Sequence, residues 1–222
     1  MALLAIYRNR TSEFWILTFL SLLCIGLSAF RVYWSGTKLF LFLNWNLFLA
    51  ALPWLFTSLL LCNKRLQRRP LILSGLLLSW LFFFPNAPYI LTDLFHLRYR
   101  TEIPIWYDMT LILAFAWTGL LFGFLSLWDI EQLLSERIPK KAVVSISVLL
   151  LFLSAFGIYL GRYLRWNTWD LVNEPGTLMQ DVIVRLLHPF QHPQTWGMTL
   201  TLGAFLTMLY FSFRFMKVRR EV

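Results

Sequence analysis

Charge is scarce in this chain, and cysteine and histidine are scarcer still. Of 222 residues, 14% are charged, two are cysteine and three are histidine, while 59% are hydrophobic and the mean hydropathy is +0.64. So little charge excludes an ordinary soluble domain, because one core of this size cannot hide that much apolar surface. Cys24 lies in the middle of one apolar run and Cys62 at the end of another, a separation in depth that argues against a disulfide. No CxxC or Cys/His zinc spacing is present, and the P-loop, GxGxxG, HExxH and GxSxG patterns are missing too. His188 and His192 each precede a proline, which disfavours a regular helical ligand pair, so neither metal nor cofactor is expected.

What the chain has instead is long apolar runs. A hydrocarbon layer about 30 Å thick takes roughly 20 apolar residues per helical crossing. Six such runs fall at 13–33, 39–62, 71–92, 109–128, 142–161 and 196–215. A lipid-exposed segment has to satisfy its backbone internally, so each run is expected as a helix. The fold class is therefore all-α, a polytopic membrane helical bundle, with 1–222 forming a single integral membrane domain. The run from Phe14 to Phe30 is too long and aromatic for a cleaved leader, and Thr11 or Ser12 is placed to cap it as a retained first helix.

Lys and Arg set the orientation. Arg8, Arg10, Lys64, Arg65, Arg68, Arg69, Arg137, Lys140, Lys141, Arg214, Lys217, Arg219 and Arg220 fall on one side, 13 of the 20, and the other side holds 7. The positive-inside rule puts both termini in the cytoplasm. The same bias accounts for the net charge of +9 without nucleic acid, and makes membrane lipids the expected partner. No feature names a protein partner. Trp34, Trp106, Trp166, Trp169 and Trp196 suit an outer interfacial belt, and Trp15 and Trp128 an inner one.

The longest connector, about 164–195, lies on the outer side. Pro175-Gly176-Thr177 is followed by Gln180 at capping-box spacing, then by Leu178, Val182 and Leu186 with Met179, Ile183, Leu187 and Phe190, while Asp181 and Arg185 take the other face. This spacing predicts a short amphipathic interfacial helix, either covering a site as a lid or lying in the head-group layer.

The unusual polar residues gather toward that outer side: Asn86, Asp93, His96, Asp108, Arg162, Arg165, Asn167 and Asp170. In PNAPYILTDLFHL, Pro85 to Leu97, two prolines interrupt an apolar run, which disfavours helix before each and frees carbonyls that lipid cannot satisfy. A broken spanning helix facing protein or a cavity is expected there, with Asn86 bridging the break; the competing reading is a plain helix end and a turn. Counting inward, Asn44 and Asn46 lie roughly 8–10 Å deep and Asn86 about 6 Å deep. Asp93 and His96 are i,i+3 and suit a general acid/base pair. In GRYLRWNTWD, Gly161 to Asp170, Arg162 and Arg165 are i,i+3 at a helix end and present planar forks suited to phosphate or carboxylate. Asn86, Asp108, Asn167 and Asp170 complete the candidate substrate-binding set. The structural alternative pairs Arg162 or Arg165 with Asp93, Asp108 or Asp170.

The NAPYILTDLFHL and FGIYLGRYLRWNTWD stretches and the six-span length resemble a bacterial multi-pass membrane family catalogued as a domain of unknown function. The resemblance covers most of the chain and implies a bacterial inner-membrane or plasma-membrane location. It implies no reaction. Three readings stay open: an outer-leaflet site that binds or processes an anionic lipid head group or small anion, a small transporter component, and a non-catalytic assembly protein.

Overall fold

The computed structural model describes residues 2–98, 102–166 and 170–221, and among these it is built from helices without a strand. Six helical segments are long and apolar enough to cross a membrane: Arg10–Ser35, Phe42–Cys62, Pro70–His96, Ile105–Ser135, Lys140–Tyr163 and Pro193–Lys217. The protein is an all-α, multi-pass integral membrane protein. It divides into two compact units, Met1–Asp129 and Ile130–Val222, with the boundary inside one long helix.

In the first unit, α1 runs Ala2–Ser35 and α2 runs Phe42–Cys62; the short α3 (Lys64–Gln67) leads into α4 (Pro70–Phe83) and the single turn α5 (Asn86–Tyr89). A 3₁₀ segment over Ile90–His96 follows, then α6 (Ile105–Ser135). The cap expected at Thr11 or Ser12 does not form, because α1 has already begun at Ala2 and passes through both residues. At its far end α1 is stopped by Gly36, whose φ of +64° supplies the left-handed turn that ends many helices.

The third crossing breaks where the two prolines predict. Pro85 and Pro88 have no N–H to donate, so the backbone changes from i−4 to tighter bonding: Ala87 N–H reaches the Phe84 carbonyl at 3.1 Å. The Phe83 carbonyl, stranded by that change, accepts from the Asn86 side-chain amide at 3.0 Å. Asn86 thus bridges the break. The broken turn is seated on α6 at Gly119 and Gly123, four residues apart and therefore on one helix face. A Cβ at Gly119 would stand 2.9 Å from the Ala87 carbonyl oxygen, and one at Gly123 would stand 2.8 Å from the Ala87 Cβ. Trp80 adds a bond from its indole N–H to Ser126 Oγ at 3.1 Å, tying α4 to the same helix.

Helix α6 is the most buried of the six crossings and overruns its expected end at Trp128 by seven residues. The overrun carries Asp129 and Glu131, both buried and both engaged by arginine, so charges that would normally end a crossing are accommodated inside protein. Trp128, expected in the interfacial belt, is buried instead, whereas Trp15, Trp34 and Trp106 are exposed.

In the second unit, α7 (Lys140–Tyr163) packs along α10 (Pro193–Glu221). Gly203 of α10 meets the Phe152 ring so closely that a Cβ would lie 2.6 Å from it, and Phe156 stacks on Trp196 at 6.0 Å. Glu131 accepts from Ser147 Oγ at 2.6 Å and from Arg214 at 3.0 Å. Between α7 and α10 come α8 (Asp170–Asn173), the amphipathic α9 (Pro175–Leu187) and a 3₁₀ turn over Pro189–Gln191. The capping box predicted at Thr177 is not used: Pro175 takes the first helical position with its preset φ, so the helix starts before Thr177.

Candidate functional site

The polar residues of the first unit collect at its two ends. At the end that carries the α1–α2 loop, four elements converge: the last turns of α1, the start of α2, the 3₁₀ segment and the start of α6. Arg31 of α1 is 2% exposed. Its Nε and Nη2 donate to the two Asp108 oxygens at 2.7 and 3.2 Å, and its Nη1 donates to Thr37 Oγ1 at 2.9 Å and the Leu39 carbonyl at 3.3 Å. The guanidinium also lies 4.9 Å from the centre of the Phe40 ring. Phe40 holds a left-handed backbone with φ of 67°, a conformation costing about 1–3 kcal/mol in a non-glycine residue. The buried ring beneath Arg31 keeps it there. Both oxygens of Asp108 are therefore taken by Arg31, which in the sequence is one of the seven Lys and Arg on the outer side.

One turn of chain beyond the broken helix, the 3₁₀ segment delivers Asp93 and His96. Asp93 is 1% exposed, and Asn46 of α2 donates its side-chain amide to Asp93 Oδ2 at 3.1 Å. His96 places Nδ1 3.8 Å from Asp93 Oδ1, beyond hydrogen-bond length but within charge contact, and its side chain is 48% exposed. The Phe42 ring flanks the imidazole at 5.6 Å. The pattern is a buried carboxylate, held from behind by an amide, with an imidazole between it and the surroundings. An imidazole and a carboxylate this close are the residue types of a general acid/base pair, with the imidazole reachable from outside. Asn44, at the same level of α2, donates to Ser28 Oγ at 2.9 Å and to the Leu41 carbonyl at 3.2 Å, tying α1 to α2.

At the opposite end of the unit Arg10 donates to Asp129 and, at 2.8 Å, to Glu13, while Thr57 Oγ1 donates to Asp129 at 2.6 Å. The Arg10 guanidinium also sits 5.3 Å from the Trp54 ring centre. This network joins α1, α2 and α6. The sequence alone does not show it, because Arg10 reads as one more inside charge and Asp129 lies past the expected helix end.

In the second unit Arg162 closes the last turn of α7, where a cation favours the carbonyl end of the helix. The i,i+3 face expected for Arg162 and Arg165 does not exist, because α7 ends at Tyr163 and Arg165 has a left-handed φ of 61°. The Trp166 N–H turns back to the Leu160 carbonyl at 3.2 Å, so Arg165 is the exposed residue of a helix-terminating turn. Asp170 opens α8 and is half-buried. Asn167 lies outside the described residues. Asp181 of α9 accepts from the Trp166 indole at 2.8 Å and from Arg185 at 2.9 Å. Among the described residues no three His, Cys, Asp or Glu side chains are grouped to hold a metal ion.

A family model described as a protein of unknown function (DUF1361) matches residues 45–209. No curated protein and no solved structure matches the chain.

Proposed function

The chain belongs to the DUF1361 family, and because membership brings no reaction with it, we propose a function from the side chains. In this proposal the protein binds an anionic lipid head group, or a small anion of the same chemistry, with Asp93 and His96 moving a proton at the bound group. The observation that carries it is a half-exposed imidazole backed by a carboxylate buried to 1% and held by Asn46. A head-group hydroxyl would meet a base there and an ionised phosphate oxygen an N–H donor, beside a carboxylate withdrawn from water. In this proposal that end lies at the outer leaflet, with both termini cytoplasmic by the positive-inside rule, in the bacterial inner or plasma membrane that the sequence resemblance implies.

Arg162 and Arg165 of the second unit are proposed as anion-binding groups in their own right, since guanidinium matches phosphate geometry. Asn167 and Asp170 are carried with them as polar neighbours in sequence. Asn86 and Asp108 take supporting roles, the first closing the helix break and the second neutralising Arg31. Those two contacts also favour a second reading, in which the whole layer is a structural network of an assembly protein. The transporter reading draws less support, because the break that suggested a gate is closed by Asn86 and seated on two glycines.

Native mass spectrometry of the protein purified in mild detergent and incubated with phosphatidylglycerol separates the readings. The proposal expects lipid adducts on the wild type that fall several-fold in His96→Gln. Equal adducts in both would leave the structural reading standing.

A further inference from the structure

Helix α9 is packed inside out. Its one buried side chain is a charged one, Arg185, at 9% exposure, while Leu187 stands 69% and Phe190 of the following 3₁₀ turn 97% exposed. Met179, Ile183 and Leu186 are exposed as well. At 100° per residue Met179, Ile183, Leu186 and Leu187 share one face of about a quarter turn, with Asp181 and Arg185 on the other side. That other side makes the protein contacts: Asp181 accepts from the Trp166 indole at 2.8 Å and from Arg185 at 2.9 Å, and the Arg185 carbonyl accepts from the Trp196 indole at 3.1 Å. A surface helix in water would present these faces the other way round.

Two further observations say what covers the apolar face. The chain passes from α9 through the Pro189–Gln191 turn directly into the membrane-crossing segment Pro193–Lys217, so α9 must lie at the level where a crossing begins. Its inward contacts are made by tryptophans, which favour that level in a bilayer. We infer that α9 and the Pro189–Gln191 turn form an in-plane membrane element, with Met179, Ile183, Leu186, Leu187 and Phe190 among the upper acyl chains of one leaflet and Asp181–Arg185 clamped to the protein. The lipid is recognised here by its hydrocarbon, whatever its head group. Of the two roles the sequence allowed, the head-group-layer role is chosen over the lid. The inference is independent of the proton site proposed above.

Bimane placed on single cysteines tests it, in full-length protein with Cys24→Ala and Cys62→Ser, reconstituted into phosphatidylethanolamine–phosphatidylglycerol vesicles. Ile183→Cys and Leu187→Cys occupy exposed positions, so neither label disturbs the packing. The inference expects both labels to be quenched several-fold more by lipid carrying a doxyl group near the head than by aqueous iodide. A label at Thr177→Cys, exposed on the polar side, should show the reverse order. Iodide quenching of Ile183 and Leu187 equal to that of Thr177 would put the face in water. Protection from both quenchers would put it against protein, as a lid; either result overturns the inference.

Discussion

Gly119→Ala is the smallest change that challenges the way the broken helix is seated. The added methyl would stand 2.9 Å from the Ala87 carbonyl oxygen and 2.9 Å from Ile90 Cδ1. Ile90 can rotate its terminal methyl away. The Ala87 carbonyl cannot move alone, because it belongs to a turn fixed by Pro85, Pro88 and the Asn86 bridge. The break and α6 must therefore separate by several tenths of an ångström, with loss of contact along the seam. Overpacking of this kind costs about 1–3 kcal/mol, against a gain of about 1 kcal/mol from replacing glycine inside a helix, leaving a net loss of about 0–2 kcal/mol and a deficit of about 1–3 kcal/mol relative to a glycine replaced without overpacking. Gly75→Ala in α4 is the matched control, since a Cβ there meets nothing within 4 Å and only the helical gain remains. Equilibrium unfolding in mixed dodecyl maltoside–SDS micelles reads both. If Gly119→Ala unfolds at the same SDS fraction as Gly75→Ala, the seating of the break on α6 is refuted.

Further predictions concern charge. Arg31→Met leaves a buried Asp108 carboxylate without its guanidinium and is expected to cost about 3–5 kcal/mol, whereas Arg31→Met combined with Asp108→Leu should recover most of that in the same assay. Recovery failing in the double variant would mean that the pair does more than neutralise itself. A green fluorescent protein fused after Val222 should fluoresce and an alkaline phosphatase fused there should be silent, as a cytoplasmic C-terminus requires; the opposite pattern would reverse the orientation and move the Asp93 end to the cytoplasmic leaflet.

The six crossings were legible because hydropathy over some 20 residues is a property of composition, and composition is local. The break at Pro85–Pro88 was legible for the same reason, since proline acts on its own neighbours. What the sequence hid was pairing. Arg31 and Arg10 each read as one more orientation charge, and only the fold shows them buried against Asp108 and Asp129, 77 and 119 residues away. Gly119 and Gly123 stood unremarked in an apolar run, because their meaning lies in the backbone that approaches them. Arg162 and Arg165 misled in the other direction: a three-residue spacing implies a shared face only while the helix lasts, and α7 ends between them. Asp93 and His96, three residues apart, lie 3.8 Å from one another on a 3₁₀ segment, where i and i+3 eclipse more closely than on an α-helix.

The pairing of Asp93 with His96 as a working site is tested most directly by the melting temperature of the purified protein with and without added phosphatidylglycerol. Wild type should gain stability as the lipid is titrated, by the mass action of a ligand that binds only folded protein. His96→Gln should melt close to wild type without lipid and lose most of the gain. A lipid response in His96→Gln as large as in wild type would contradict the account, and the layer around Asp93 would then be structural.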